Sequence, residues 1–101
     1  MTGKGGSMSD VTTGVSADPL RDEREALEFQ RKVGRNLRYW RMQRAMTPKE
    51  FAHRSGKPVA VINAIEAGDT MPGVEFLWRA GQLLKVSCLA FIDPQQYRSA
   101  A

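Results

Sequence analysis

From residue 26 onward the large apolar side chains recur every three or four positions. Ala26, Phe29, Val33, Leu37 and Trp40 are separated by 3, 4, 4 and 3 residues, which puts them on one face of an α-helix. Asp18-Pro19 supplies the start. Aspartate accepts from free amides, proline is preset for the first helical position, and Asp22, Glu23 and Glu25 suit the positive end of the helix dipole. The pattern predicts a helix running to about Arg44, weakened locally at Gly34. Thr47-Pro48-Lys49-Glu50 then reads as a capping box, with Met46 and Phe51 as its hydrophobic staple, and predicts a helix from Pro48 to about Ser55 ended by Gly56.

In VAVINAIEA, from Val59 to Ala67, Ile62 and Ile65 lie one turn apart beside Val61, and Gly68 follows as a C-terminal stop. After Met71-Pro72-Gly73, the residues Val74, Leu77, Trp78, Leu83 and Leu84 mark a further helix ending near Lys85. A last short helix, capped by Ser87, is expected to reach about Ile92 before Asp93-Pro94. No segment alternates with period two and no repeat is apparent, so the chain reads as all-α with five helices.

Length and composition allow one small domain: 101 residues, 42% hydrophobic and 26% charged. Residues 1–17, rich in Gly, Ser and Thr, cannot bury enough apolar surface to offset ordering and are expected to be a disordered tail. The expected organisation is that tail, a helical extension at 18–32, a domain at 33–92 and a short tail at 93–101. GKGG at positions 3–6 lacks the spacing and the preceding strand of a phosphate-binding loop.

The formal charge of +4 is unevenly placed. Between Gly34 and Lys57 lie Arg35, Arg38, Arg41, Arg44, Lys49, Arg54 and Lys57 against Glu50 alone, so the excess positive charge occupies one window and favours an anionic partner. Cys88 is the only cysteine, which rules out an intrachain disulfide and a cysteine-based zinc site. With no long apolar run and no secretory signal, a cytoplasmic protein without a membrane partner is expected. The single histidine, His53, has no identifiable nucleophile partner, so no enzyme, metal or cofactor is expected. Trp40, Phe76 and Trp78 sit at core spacing rather than as a stacking platform, and Cys88 is expected as a small core residue.

Two short helices joined at Gly56 and flanked by other helices form a helix-turn-helix pattern over about 47–67. From about Val33 to Ile92 the chain resembles the lambda-repressor-like (Xre/Cro-type) DNA-binding family, through VGRNLRYWR, TPKEFAHRSG, VAVINAIEAGD, VEFLWRAGQLL and VSCLAFI. The specific positions are Thr47, Glu50, Phe51-Ala52, Gly56, Ile62, Ile65-Glu66 and Gly68. A small residue at Ala52 lets helices cross closely, and Gly56 gives the turn its positive φ.

The resemblance implies a five-helix lambda-repressor-like bundle in which Arg41 pairs with Glu66, although a phosphate contact by Arg41 is the competing reading. It implies that the helix beginning at Val59 enters the major groove of double-stranded DNA. The base-reading positions would be Lys57, Val59, Ala60, Asn63 and Ala64; Pro48 stands where family members often carry glutamine. Of these, Asn63 has donors and acceptors for adenine, and a solvent-facing Asn63 is the alternative. Phosphate contacts would come from Thr47, Lys49, Arg54, Gly68, Arg35, Arg38 and Arg44, with Asp69 unfavourable beside them.

A transcriptional regulator acting as a homodimer is the leading expectation, because one short helix reads few bases. The apolar character of Val59, Ala60 and Ala64 carries a second: the fold redeployed as a protein-binding module, such as an antiactivator or antitoxin-like subunit bound to a transcription factor or other protein. Leu20, Leu27 and Phe29 lie upstream of the family domain and must cover something, either their own bundle or a partner. Dimerisation through this extension or through Leu89, Phe91 and Ile92 is left open by the sequence.

Overall fold

A computed structural model describes residues 18–93. Those residues form four α-helices, α1 (Pro19–Gln43), α2 (Pro48–Ser55), α3 (Val59–Glu66) and α4 (Val74–Leu84), followed by a 3₁₀ turn at Cys88–Phe91. There is no strand among the described residues. The tails expected at 1–17 and beyond Asp93 lie outside them.

The expected fifth α-helix is therefore a single 3₁₀ turn. Only five residues separate Ser87 from Asp93, too few for a helical nucleus, and Pro94 disfavours a helical Asp93. Ser87 still caps the turn, its hydroxyl accepting from the Leu89 amide at 3.2 Å.

Each α-helix owes its limits to local chemistry. The Asp18 carboxylate accepts from the Leu20 amide at 3.0 Å, and the Thr47 hydroxyl accepts from the Glu50 amide at 3.0 Å. The second half of the capping box does not form: the Glu50 carboxylate takes Arg54 one turn later at 3.1 Å, because that cation lies on the same face. All four helices close by the same device. A residue in the left-handed region reverses the chain, and the next amide returns to a carbonyl five residues back: Met46 to Arg41, Lys57 to Ala52, Asp69 to Ala64 and Val86 to Gly81. Gly56 and Gly68 occupy two of these positions without strain, whereas Ala45 (φ 54°) and Lys85 (φ 60°) occupy the other two with a Cβ present.

The core joins Val33, Leu37 and Trp40 of α1 to Phe51 and Ala52 of α2, Ile62 and Ile65 of α3, and Phe76, Leu77, Ala80 and Leu84 of α4, closed by Ala90 and Phe91. Phe51 and Phe76 meet edge to face with centroids 6.1 Å apart. Five apolar residues depart from the expected pattern, among them Val74, which is exposed at the start of α4. Ala26 and Phe29 continue the core face of α1 yet are exposed, since α1 outruns the elements packed on it. Trp78 is 59% exposed, one position off the buried α4 stripe and so rotated by about 100° from Leu77. Cys88 is half-buried, packed against the edge of the core.

Candidate nucleic-acid interface

The α2–turn–α3 unit is held against α1 by one charged pair and one missing side chain. Arg41 donates through Nε to one Glu66 oxygen at 2.6 Å and through Nη2 to the other at 2.9 Å, a bidentate pair with both side chains over nine-tenths buried. Its Nη1 donates to the Met46 carbonyl at 2.7 Å, so every face of the guanidinium is committed. Arg41 is thus a structural residue, and the pair named from the family resemblance is present.

Gly34 is the missing side chain. A Cβ there would lie inside the contact radius of the Ile65 carbonyl oxygen and 3.1 Å from that of Glu66, so the C-terminal turn of α3 rests directly on the α1 backbone. Next along α1, Gln30 donates to the Gly68 carbonyl at 2.8 Å, and Arg31 lies across Gly68, whose own Cβ would meet the Arg31 Cγ at 2.8 Å. Arg41, Gly34, Arg31 and Gln30 together lock the end of α3. The sequence pattern offered Gly34 only as a weak point; a lone glycine inside a strong helical period was the signal of a close approach.

With its end fixed, α3 buries Ile62 and Ile65 and turns its other side outward. Val59, Ala60, Val61 and Asn63 are exposed, Ala64 is half-buried, and Lys57 is exposed in the turn before the helix. The base-reading positions named from the sequence are therefore brought together on one short surface, Ala64 at its inner margin. Thr47, Lys49 and Arg54 are exposed on α2 and its cap, and Arg35 and Arg38 on α1. Lys49, Lys57, Arg35 and Arg38 make no ion pair among the described residues, whereas Arg54 is shared with Glu50.

Two of the expected phosphate residues are committed elsewhere. Arg44 donates through Nε to the Leu84 carbonyl at 2.6 Å, reaches toward that of Lys85 at 3.5 Å, and lies 5.5 Å from the centre of the Trp40 ring. It closes the C-terminus of α4, where unpaired carbonyls attract a cation. Gly68 is buried and its amide donates to the Ile65 carbonyl at 3.0 Å, leaving no donor for a phosphate. His53 is exposed on α2, and no cluster of three or more His, Cys, Asp or Glu is poised for a metal among the described residues.

The model of the helix-turn-helix family HTH_3 matches residues 37–91, more than half of the chain, including the Arg41–Glu66 pair and the α2–turn–α3 unit but not Gln30, Arg31 or Gly34. The chain belongs to the HTH_3 family. Among solved structures, this HTH_3 chain is similar to an HTH_3 family transcriptional regulator from Vibrio cholerae, with 28% identity and a TM-score of 0.62 over 72% of this chain and 42% of that one. The present chain thus spans less than half the length of that regulator. A hypothetical transcription factor, NHTF, from Neisseria shares the fold at 18% identity, with a TM-score of 0.63 over 71% of this chain and 83% of that one. No curated protein matches the chain. No helix among the described residues is long and apolar enough to cross a membrane.

Proposed function

We propose that this HTH_3 protein is a sequence-selective DNA-binding transcriptional regulator of the Xre/Cro type, non-enzymatic and cytoplasmic, with α3 seated in the major groove of double-stranded DNA. The observation that carries this reading is the exposed side of α3 beside the unpaired cations Lys49 and Lys57, on a helix whose end is clamped to α1. A recognition element must hold its register while side chains search base edges, and a buried bidentate pair supplies that rigidity. Asn63 reads adenine, Lys57 reaches guanine or phosphate at the entrance to the groove, and Val59 and Ala60 meet thymine methyls, with Ala64 filling space behind them. Thr47, Lys49, Arg54 and Arg38 contact phosphates, while Arg44 and Gly68 support the fold.

The apolar Val59, Ala60 and Ala64, the first two exposed, favour a second reading, in which the same face binds a protein partner such as a transcription factor. Fluorescence anisotropy separates the two. The protein is titrated onto a labelled duplex from upstream of its own gene and onto a scrambled duplex, each at low and physiological salt. Selective binding that persists at physiological salt supports the regulator; equal or absent binding to both sinks it and favours the protein-partner reading.

A further inference from the structure

Leu20, Leu27, Gly34 and Arg41 follow one another at intervals of seven along α1, so they form a single line that drifts by only about 20° per step. The C-terminal half of that line is covered by α3, through the Ile65 carbonyl over Gly34 and Glu66 on Arg41. The N-terminal half is bare. Every residue from Leu20 to Phe29 is exposed, with Leu20 at 62% and Leu27 at 40%. Where α3 stops, Gly68 lies against Gln30 and Arg31, and the line runs on past that end with no described element above it.

Arg24 and Arg31 form a second line beside the leucines, each four residues after a leucine and so about 40° around the helix from it. A hollow opens among Arg24, Leu27, Glu28 and Arg31, with Glu25 at its rim. The first four are spaced i, i+3, i+4 and i+7, the outline of the hole that receives one side chain of a facing helix. Glu25 is held by Arg21 at 3.2 Å. Arg24 reaches Asp18 at 3.6 Å and Arg31 reaches Glu28 at 3.9 Å, long pairs between exposed groups that exchange readily for a closer carboxylate.

We propose that this face of α1 is a docking surface for an acidic amphipathic helix of another protein, whose apolar residues meet Leu20 and Leu27 and whose carboxylates seat between Arg24 and Arg31. The leucines decide against nucleic acid, because phosphates would take the arginines and leave the apolar line in water. The arginines decide against a second copy of this chain, which would place four of them and no carboxylate along the shared seam. The bare stretch is about 15 Å long, too short for a standard interface of ~1,600 Å², so binding is in the micromolar range.

The test is fluorescence anisotropy of the full chain, without DNA, on a labelled synthetic helix of three heptads whose seam alternates leucine and glutamate. Peptide binding and duplex binding are separate titrations, so failure of one leaves the other readable. The expected result is saturable binding with Kd of roughly 10–100 μM. Leu20→Ser with Leu27→Ser, and Arg24→Glu with Arg31→Glu, each weaken it by about tenfold or more. Circular dichroism stays unchanged, because the four side chains are exposed and glutamate keeps the Cβ and Cγ that Arg31 lays on Gly68. A peptide with lysine in place of glutamate binds the charge-reversed protein in preference to the wild type. Absence of binding overturns the proposal, as does equal binding of a peptide of the same composition in scrambled order, which would be charge attraction alone. Peptide binding indifferent to the leucine pair, with duplex binding lost in Arg24→Glu/Arg31→Glu, would assign the arginines to phosphates and overturn it too.

Discussion

Replacing Gly34 by alanine sets two opposite terms against each other at one atom. In an exposed helix the change is favourable, since alanine is better than glycine in a helix interior by ~0.8–1.0 kcal/mol. Here the new methyl group would enter the contact radius of the Ile65 carbonyl oxygen and press on the Glu66 carbonyl, at 3.1 Å to its oxygen and 3.2 Å to its carbon. Both obstacles are backbone, so no rotamer change relieves them. The C-terminal turn of α3 must back away from α1, carrying Glu66 from the Arg41 fork at 2.6 and 2.9 Å. Overpacking of this kind costs ~1–3 kcal/mol, and the lengthened ion pair adds to it. The net expectation is a loss of about 2 kcal/mol, or a fall in Tm of roughly 8–16 °C for a folded unit of this size. Urea unfolding followed by circular dichroism measures it directly. An unchanged or raised midpoint would mean that α1 and α3 do not meet backbone to backbone, and the reasoning would fail.

Arg41→Ala is expected to cost ~3–5 kcal/mol, since it strands a buried Glu66 carboxylate, while Arg41→Met with Glu66→Leu should cost far less than the sum of the single changes; thermal unfolding reads both, and a loss below about 1 kcal/mol for Arg41→Ala would return that residue to the DNA-contact surface. Ala45→Gly and Lys85→Gly should each stabilise by about 0.5–1 kcal/mol, because each relieves a Cβ in the left-handed region; a lower urea midpoint in both would contradict this account of the helix ends. Arg44→Ala should lower stability by about 1–2 kcal/mol through the lost Leu84 contact and Trp40 stacking yet leave the salt dependence of DNA binding unchanged. Lys57→Ala should do the reverse, with stability unchanged and the slope of log K against log salt reduced by about one; anisotropy titrations at several salt concentrations compare the two variants.

What could be read from the sequence was local. Asp18-Pro19, Thr47-Pro48, Gly56 and Gly68 each act through neighbours a few residues away: α1 and α2 begin, and α2 and α3 end, where those residues dictate. What was not legible depends on residues distant along the chain. Arg44 looks like a DNA contact until α4 brings the Leu84 carbonyl to it, forty residues later. Gly34 looks like a flaw until α3 is laid across it. Trp78 shows the limit of periodicity itself: Leu77 and Trp78 are both apolar, and only the packed partners of α4 decide which of the two adjacent directions faces inward. The Arg41–Glu66 pair lay beyond local pattern too, and was reached through family resemblance.

Because α1 is one unbroken helix of 25 residues, it fixes the angular phase between its exposed stretch, Leu20 to Phe29, and the bundle as a gear shaft does. Inserting or deleting one residue between Phe29 and Val33 would advance or retard the Leu20–Leu27 face by about 100° relative to α3 and change the reach by about 1.5 Å. A change of seven residues would leave the phase within about 20° while altering the reach by roughly 10 Å. Whatever binds the exposed stretch from Leu20 to Phe29 is therefore held at one angle and one distance from α3, with no joint between them to absorb a misfit.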